Sequence, residues 1–100
     1  MKLCLLIESD TDHRKALRKW VEAEGYSCVD IPEVNSASIA YQCLMPDVVL
    51  MGRTNSLQER ETMSKTLTQT GNRSNRPAAV IHDEGQSSHQ IQSMLRYHCA

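Results

Sequence analysis

No stretch of this chain is long and apolar enough to cross a bilayer. The apolar run nearest the start, Leu3 to Ile7, is five residues long and ends at Glu8. That is too short for the core of a secretory signal. A cytoplasmic location is therefore expected. There is no CxxC pair and no cysteine–histidine spacing of the zinc type among Cys4, Cys28, Cys43 and Cys99. Without a secretion signal no disulfide framework is expected, and Cys4, Cys28 and Cys43, at apolar positions, read as buried free thiols. Internal repeats and low-complexity tracts are also absent. Nor is there a charge excess: 11 Lys and Arg stand against 12 Asp and Glu, a net charge of −1. Nothing of that size draws the chain to nucleic acid or to an acidic membrane.

These absences leave one domain over residues 1–100, with 40% apolar and 23% charged residues, suited to folding around a single core in water. Its charge is unevenly spread. Residues 1–52 carry five basic against eight acidic side chains, while residues 53–76 carry five against two. The second stretch reads as a solvated face. Strand-like apolar runs at 2–7, 26–31, 47–51 and 77–82 alternate with helical patterns at about 11–24, 34–44, 57–69 and 87–98. Gly25 stops the first helix, and Pro46 ends the second. Asp10, Thr11 or Asp12 could cap the first helix, Ser87 or Ser88 the last. Four strand–helix alternations point to a parallel α/β sheet wound by right-handed crossovers.

The stretch "DVVLMGRT" (47–54) carries a conspicuous gap. A buried strand of this kind delivers a side chain to the mouth of an α/β sheet, where ligands collect. The residue delivered here is Gly52, which has none. "LLIESD", "RKALRKWVEAEGY", "PDVVLMG" and "RPAAVIH", in this order, resemble a bacterial response-regulator receiver domain. The 30 positions from Gly52 to His82 fit a chemotaxis-type receiver. The resemblance implies a flavodoxin-like sheet of order 2-1-3-4-5, here cut to about four strands with three to four helices. It also implies phosphoryl transfer to an aspartate beside magnesium held by an acidic pair. Mapped onto this chain, Glu8 matches the first acid, Ser9 replaces the second, Gly52 replaces the phosphoacceptor and His82 the Thr or Ser ending strand four. The family's lysine has no counterpart. Only Glu8 and Asp10 remain of an acidic site, so no catalysis, metal or cofactor is expected.

The resemblance thus points to a pseudo-receiver, active as an interaction or scaffold module in bacterial signalling. Lacking strand five and helix five, it would expose the edge formed by Ala78, Ala79, Val80 and Ile81 and an apolar face beside it. A protein partner or a homodimer is expected to cover both. Two other classes stay open: the N-terminal regulatory part of a longer transcription regulator, and a small ligand- or metal-binding domain using the sheet-end cleft. For the latter, His82, Asp83 and Glu84 near Glu8 and Asp10 could hold a transition metal, although a solvated strand end explains them as well. His13, His89 and His98 read as surface or helix-face residues, and Cys99 beside His98 offers no enclosed pocket.

Overall fold

A computed structural model describes residues 2–53, 55–70 and 78–99. The loop expected after Thr70, Arg76 and Pro77 at the start of strand four, and the side chains of Leu67 and Cys99, lie outside the described residues. The elements alternate as the apolar pattern requires: β1 (Leu3–Ile7), α1 (Thr11–Ala23), β2 (Ser27–Ile31), α2 (Val34–Leu44), β3 (Val48–Met51), α3 (Leu57–Thr70), β4 (Ala79–His82) and α4 (Ser88–Cys99). All strands run parallel in the order β2-β1-β3-β4.

Helices cover both faces of this sheet, so β1 and β3 are apolar at every position rather than at alternate ones. Leu17 and Val21 of α1 and Ile91 and Leu95 of α4 pack on Cys4, Leu6, Val48, Leu50 and Ile81. On the other face Val34, Ala37 and Tyr41 of α2 and Met63 of α3 meet Leu5, Ile7, Val49 and Met51. Local chemistry sets the helix starts. Ser56 and Glu59 exchange side-chain-to-backbone hydrogen bonds at 2.9 and 3.1 Å, and Ser87 and Gln90 do the same at 3.1 and 3.2 Å. Both are capping boxes, each relieving orphan N–H groups of a first turn. Asp10 occupies the N-cap of α1 without a side-chain cap bond. Gly25, at φ +89°, takes the left-handed turn that ends α1 at little steric cost.

Two expectations are corrected here. The sheet face predicted to lie bare beside strand four is covered by α4, which returns to the α1 side. There the Tyr26 hydroxyl donates to the Leu95 carbonyl at 2.6 Å, and Arg96 forms a two-pronged ion pair with Glu24 at 2.9 and 3.2 Å. Cys43, predicted buried, is exposed, whereas Cys4 and Cys28 are buried. The buried face of α2 runs through Val34, Ala37 and Tyr41, and position 43 falls off that line.

Candidate functional site

The strand order reverses between β1 and β3, because the chain goes from β1 outward to β2 and then back past β1 to β3. A crevice at such a switch point, beyond the carboxyl ends of the strands, is where open α/β sheets bind ligands. The sheet bonding runs one residue past the strand ends there. Gly52 N–H donates to the Ile7 carbonyl at 2.7 Å, and Asp83 N–H to the Met51 carbonyl at 2.8 Å. With Ile7 opposite Met51 and Met51 opposite His82, the next row across the sheet is Glu8, Gly52, Asp83. Its side chains share the face covered by α1 and α4.

Glu8 is fully buried, and its side chain lies over Gly52. A Cβ added at position 52 would sit 2.5 Å from Glu8 Oε1, 2.7 Å from its Cδ and 2.8 Å from its Cβ. The Glu8 carboxylate, one residue past β1, therefore occupies the space that a residue-52 side chain would need. Glu8 Oε2 accepts the Asp10 N–H at 3.1 Å, while Oε1 is buried with no hydrogen-bond partner among the described residues. The Arg14 guanidinium donates to the Glu8 carbonyl at 2.9 Å and pairs with Asp30 at 3.3 Å; Arg18 pairs with Asp30 as well. Asn55 closes the floor: its N–H donates to the Gly52 carbonyl at 3.2 Å and its amide nitrogen to the Ile7 carbonyl at 2.7 Å.

The third member of the row is Asp83, only 1% exposed. His13, on the first turns of α1, donates Nε2–H to Asp83 Oδ2 at 2.6 Å, with the same nitrogen 3.8 Å from Glu8 Oε1. The Gly85 N–H binds Asp83 Oδ1 at 3.0 Å, and Arg60 reaches the Asp83 carbonyl at 3.3 Å. Charge-assisted bonds of this kind are what a buried carboxylate requires.

The predicted site residues thus divide. Glu8 and Gly52 come together, more closely than a sequence can express. The Asp10 side chain is exposed and contributes only its N–H. His82 lies one residue short of Gly52's row and turns to the α3 face, so Asp83 is the residue level with Gly52. Asp83 is no solvated strand end, and His13, on the face of α1 as one of the two expected readings had it, turns inward to pair with Asp83. Among Ala78 to Ile81, Ile81 is 3% exposed, the alanines are half-buried, and Val80, at 37%, is the exposed member. His13 and Asn55 were not legible as site residues: His13 meets a partner 70 positions away, and Asn55 stands in a polar loop like any other. Among the described residues no group of three or more metal-type side chains converges.

This architecture, with its filled switch-point crevice, is the receiver fold. The NMR structure of the pseudo-receiver domain of the CikA protein matches with a TM-score of 0.72 at 16% identity, over 100% of this chain and 98% of that one. A response regulator receiver domain protein from Clostridium thermocellum matches at 0.64 and 10% identity, over 98% and 94%. A response regulator receiver modulated diguanylate cyclase from Pelobacter carbinolicus matches at 0.68 and 14%, over 99% and 92%. No protein-family model and no curated protein matches the sequence.

Proposed function

We propose that the chain is a pseudo-receiver that takes no phosphoryl group and acts through contacts with other proteins in bacterial signalling, in the cytoplasm. The observation that carries this reading is the Glu8 side chain lying in the space above Gly52. A receiver-type transfer needs a nucleophilic carboxylate at position 52 and a cation beside it. Here the space is taken by the fully buried Glu8 carboxylate, one residue past β1, which leaves no room for another side chain. The likeness to a pseudo-receiver domain supports the same direction.

For the contact surface, the outer side of β4 is the natural candidate. No described strand pairs with it. Exposed Val80 lies on it, and an open strand edge recruits extended segments of a partner. The Gln86 side chain bonds the His82 carbonyl and the Glu84 N–H, occupying the far end of this edge and confining the free part to a few residues.

The phosphoryl question is decided by intact-mass analysis after incubation with acetyl phosphate and magnesium. The mass should stay unchanged for the wild type, and also for Gly52→Asp, whose new side chain must compete with Glu8 for one volume. A hydroxylamine-labile gain of one phosphoryl group in the wild type would overturn the reading.

A further inference from the structure

The two outer strands of the sheet present different edges. β2 carries Asp30, held by Arg14 and Arg18, and a charged side chain on an edge discourages a further strand. β4 bears no Lys, Arg, Asp or Glu. The backbone groups it offers follow from its bonding to β3. Ala79 N–H donates to the Asp47 carbonyl at 3.0 Å and Asp83 N–H to the Met51 carbonyl at 2.8 Å. Residues 79, 81 and 83 therefore bond inward, and the backbone groups of Val80 and His82 point outward. The His82 carbonyl already accepts the Gln86 amide at 3.2 Å. Three consecutive outward groups have no partner among the described residues: Val80 N–H, Val80 carbonyl and His82 N–H. Donor, acceptor and donor in one line are what an extended backbone satisfies, and a helix, whose own groups are spent, does not.

We propose that this edge takes up, as a fifth strand, a short extended segment of another protein that is uncharged and rich in β-branched residues. The inference rests on the reading of β4 as the contact surface and names what that surface accepts. Side chains of an added strand alternate between the two sheet faces. Those level with Val80 and His82 lie on the α3 face, beside exposed Val80 and a shallow cleft of about 400 Å³. Leu57, 74% exposed, gives this cleft an apolar wall, while Arg60 and Lys65 are balanced by Glu61 and Glu84. A charged side chain finds no net counter-charge there, which favours an apolar or hydroxyl-bearing one. The side chain level with Ile81 lies on the other face, where half-buried Met94 borders the core. β-Branched residues suit a pleated, half-buried position of this kind. A second copy fits less well, since two folded edges meeting over so few residues bury far less than the roughly 1,000 Å² of a stable dimer.

The test is amide hydrogen exchange, read by NMR on the full ¹⁵N-labelled chain, alone and with a capped seven-residue peptide of alternating valine and threonine. The same peptide with two prolines at its centre, which lacks donors for the ladder, is the control. In the free chain the Ile81 and Asp83 amides should be protected, while those of Val80 and His82 exchange fast. An excess of the peptide should slow Val80 and His82 by at least about tenfold, and the proline control should not. Val80→Lys should weaken the peptide several-fold; its side chain is exposed, so the fold survives the change. Gln86→Ala, which frees the His82 carbonyl, should tighten binding. Val80 and His82 amides already protected in the free chain would overturn this proposal together with the choice of β4 as contact surface. Fast exchange that the peptide leaves unchanged, equal protection by the control, or protection that grows with protein concentration alone would overturn the proposed occupant only. None of these outcomes bears on the phosphoryl reading, which the mass measurement decides.

Discussion

Among single residues, the most informative is one with no side chain. Gly52 could be read from the sequence as a missing nucleophile, yet the reason for a glycine there is steric and belongs to Glu8, 44 positions earlier in the chain. Such a reason is invisible until two strands are placed side by side. The same holds for His13 and Asp83: each alone is a plausible surface residue, and only their mutual burial makes them a pair. Cysteines follow a similar logic. Cys4 and Cys28 face each other across β1 and β2. Burial pushes the Cys28 thiol up to about 11, and burial beside Cys28 pushes Cys4 higher still. Thiolate is the reactive form, so Cys43 should be alkylated by iodoacetamide at pH 8 while Cys4 and Cys28 react only on unfolding. Peptide mapping checks this; equal labelling of Cys28 and Cys43 would contradict the burial. The folded thiol holds its proton above the ordinary value of 9.0, so stability is full below about pH 9 and declines as pH rises towards about 11.

At the scale of elements, the sequence was most legible. Every strand and helix appears within a residue or two of the range its apolar periodicity marks, because both faces of the sheet are buried and the pattern is strong. The end of α2 is where local preference and structure disagree. Met45 caps it at φ 49°, a left-handed conformation that costs a residue with a Cβ. Its side chain is 59% exposed, so little packing is lost on removing it. Met45→Gly should therefore stabilise the fold by about 0.5 kcal/mol, net of the extra freedom glycine has when unfolded. The midpoint of urea unfolding reads this directly, and a lower midpoint would show that Met45 makes contacts the exposed side chain does not suggest.

The whole molecule departs most from what the sequence implied. A sheet expected to show a bare apolar face beside strand four is covered on one side by α1 and α4 and on the other by α2 and α3. No periodicity in residues 88–99 announces which face α4 will take. Its Ile91 and Leu95 would serve either, and the choice is fixed by Leu17, Val21 and Tyr26. With that face covered, the apolar area that would have driven a homodimer is largely internal. Val80 with its neighbours is far below the ~1,000 Å² a stable interface needs. Sedimentation equilibrium should accordingly find a monomer at micromolar concentration, unaltered by Val80→Lys. A dimer dispersed by that substitution would restore the edge as a self-association surface.

Glu8 fills the place of the side chain that Gly52 lacks, and a double-mutant cycle in urea unfolding reads that packing. Gly52→Ala should cost about 1–3 kcal/mol in the wild type, the usual penalty of overpacking a closed site. In a Glu8→Gly background, which removes the Cβ as well as the carboxylate that a residue-52 Cβ would meet, most of that cost should vanish, leaving a coupling of at least about 1 kcal/mol. Equal costs in both backgrounds would mean that position 52 is closed by something other than Glu8.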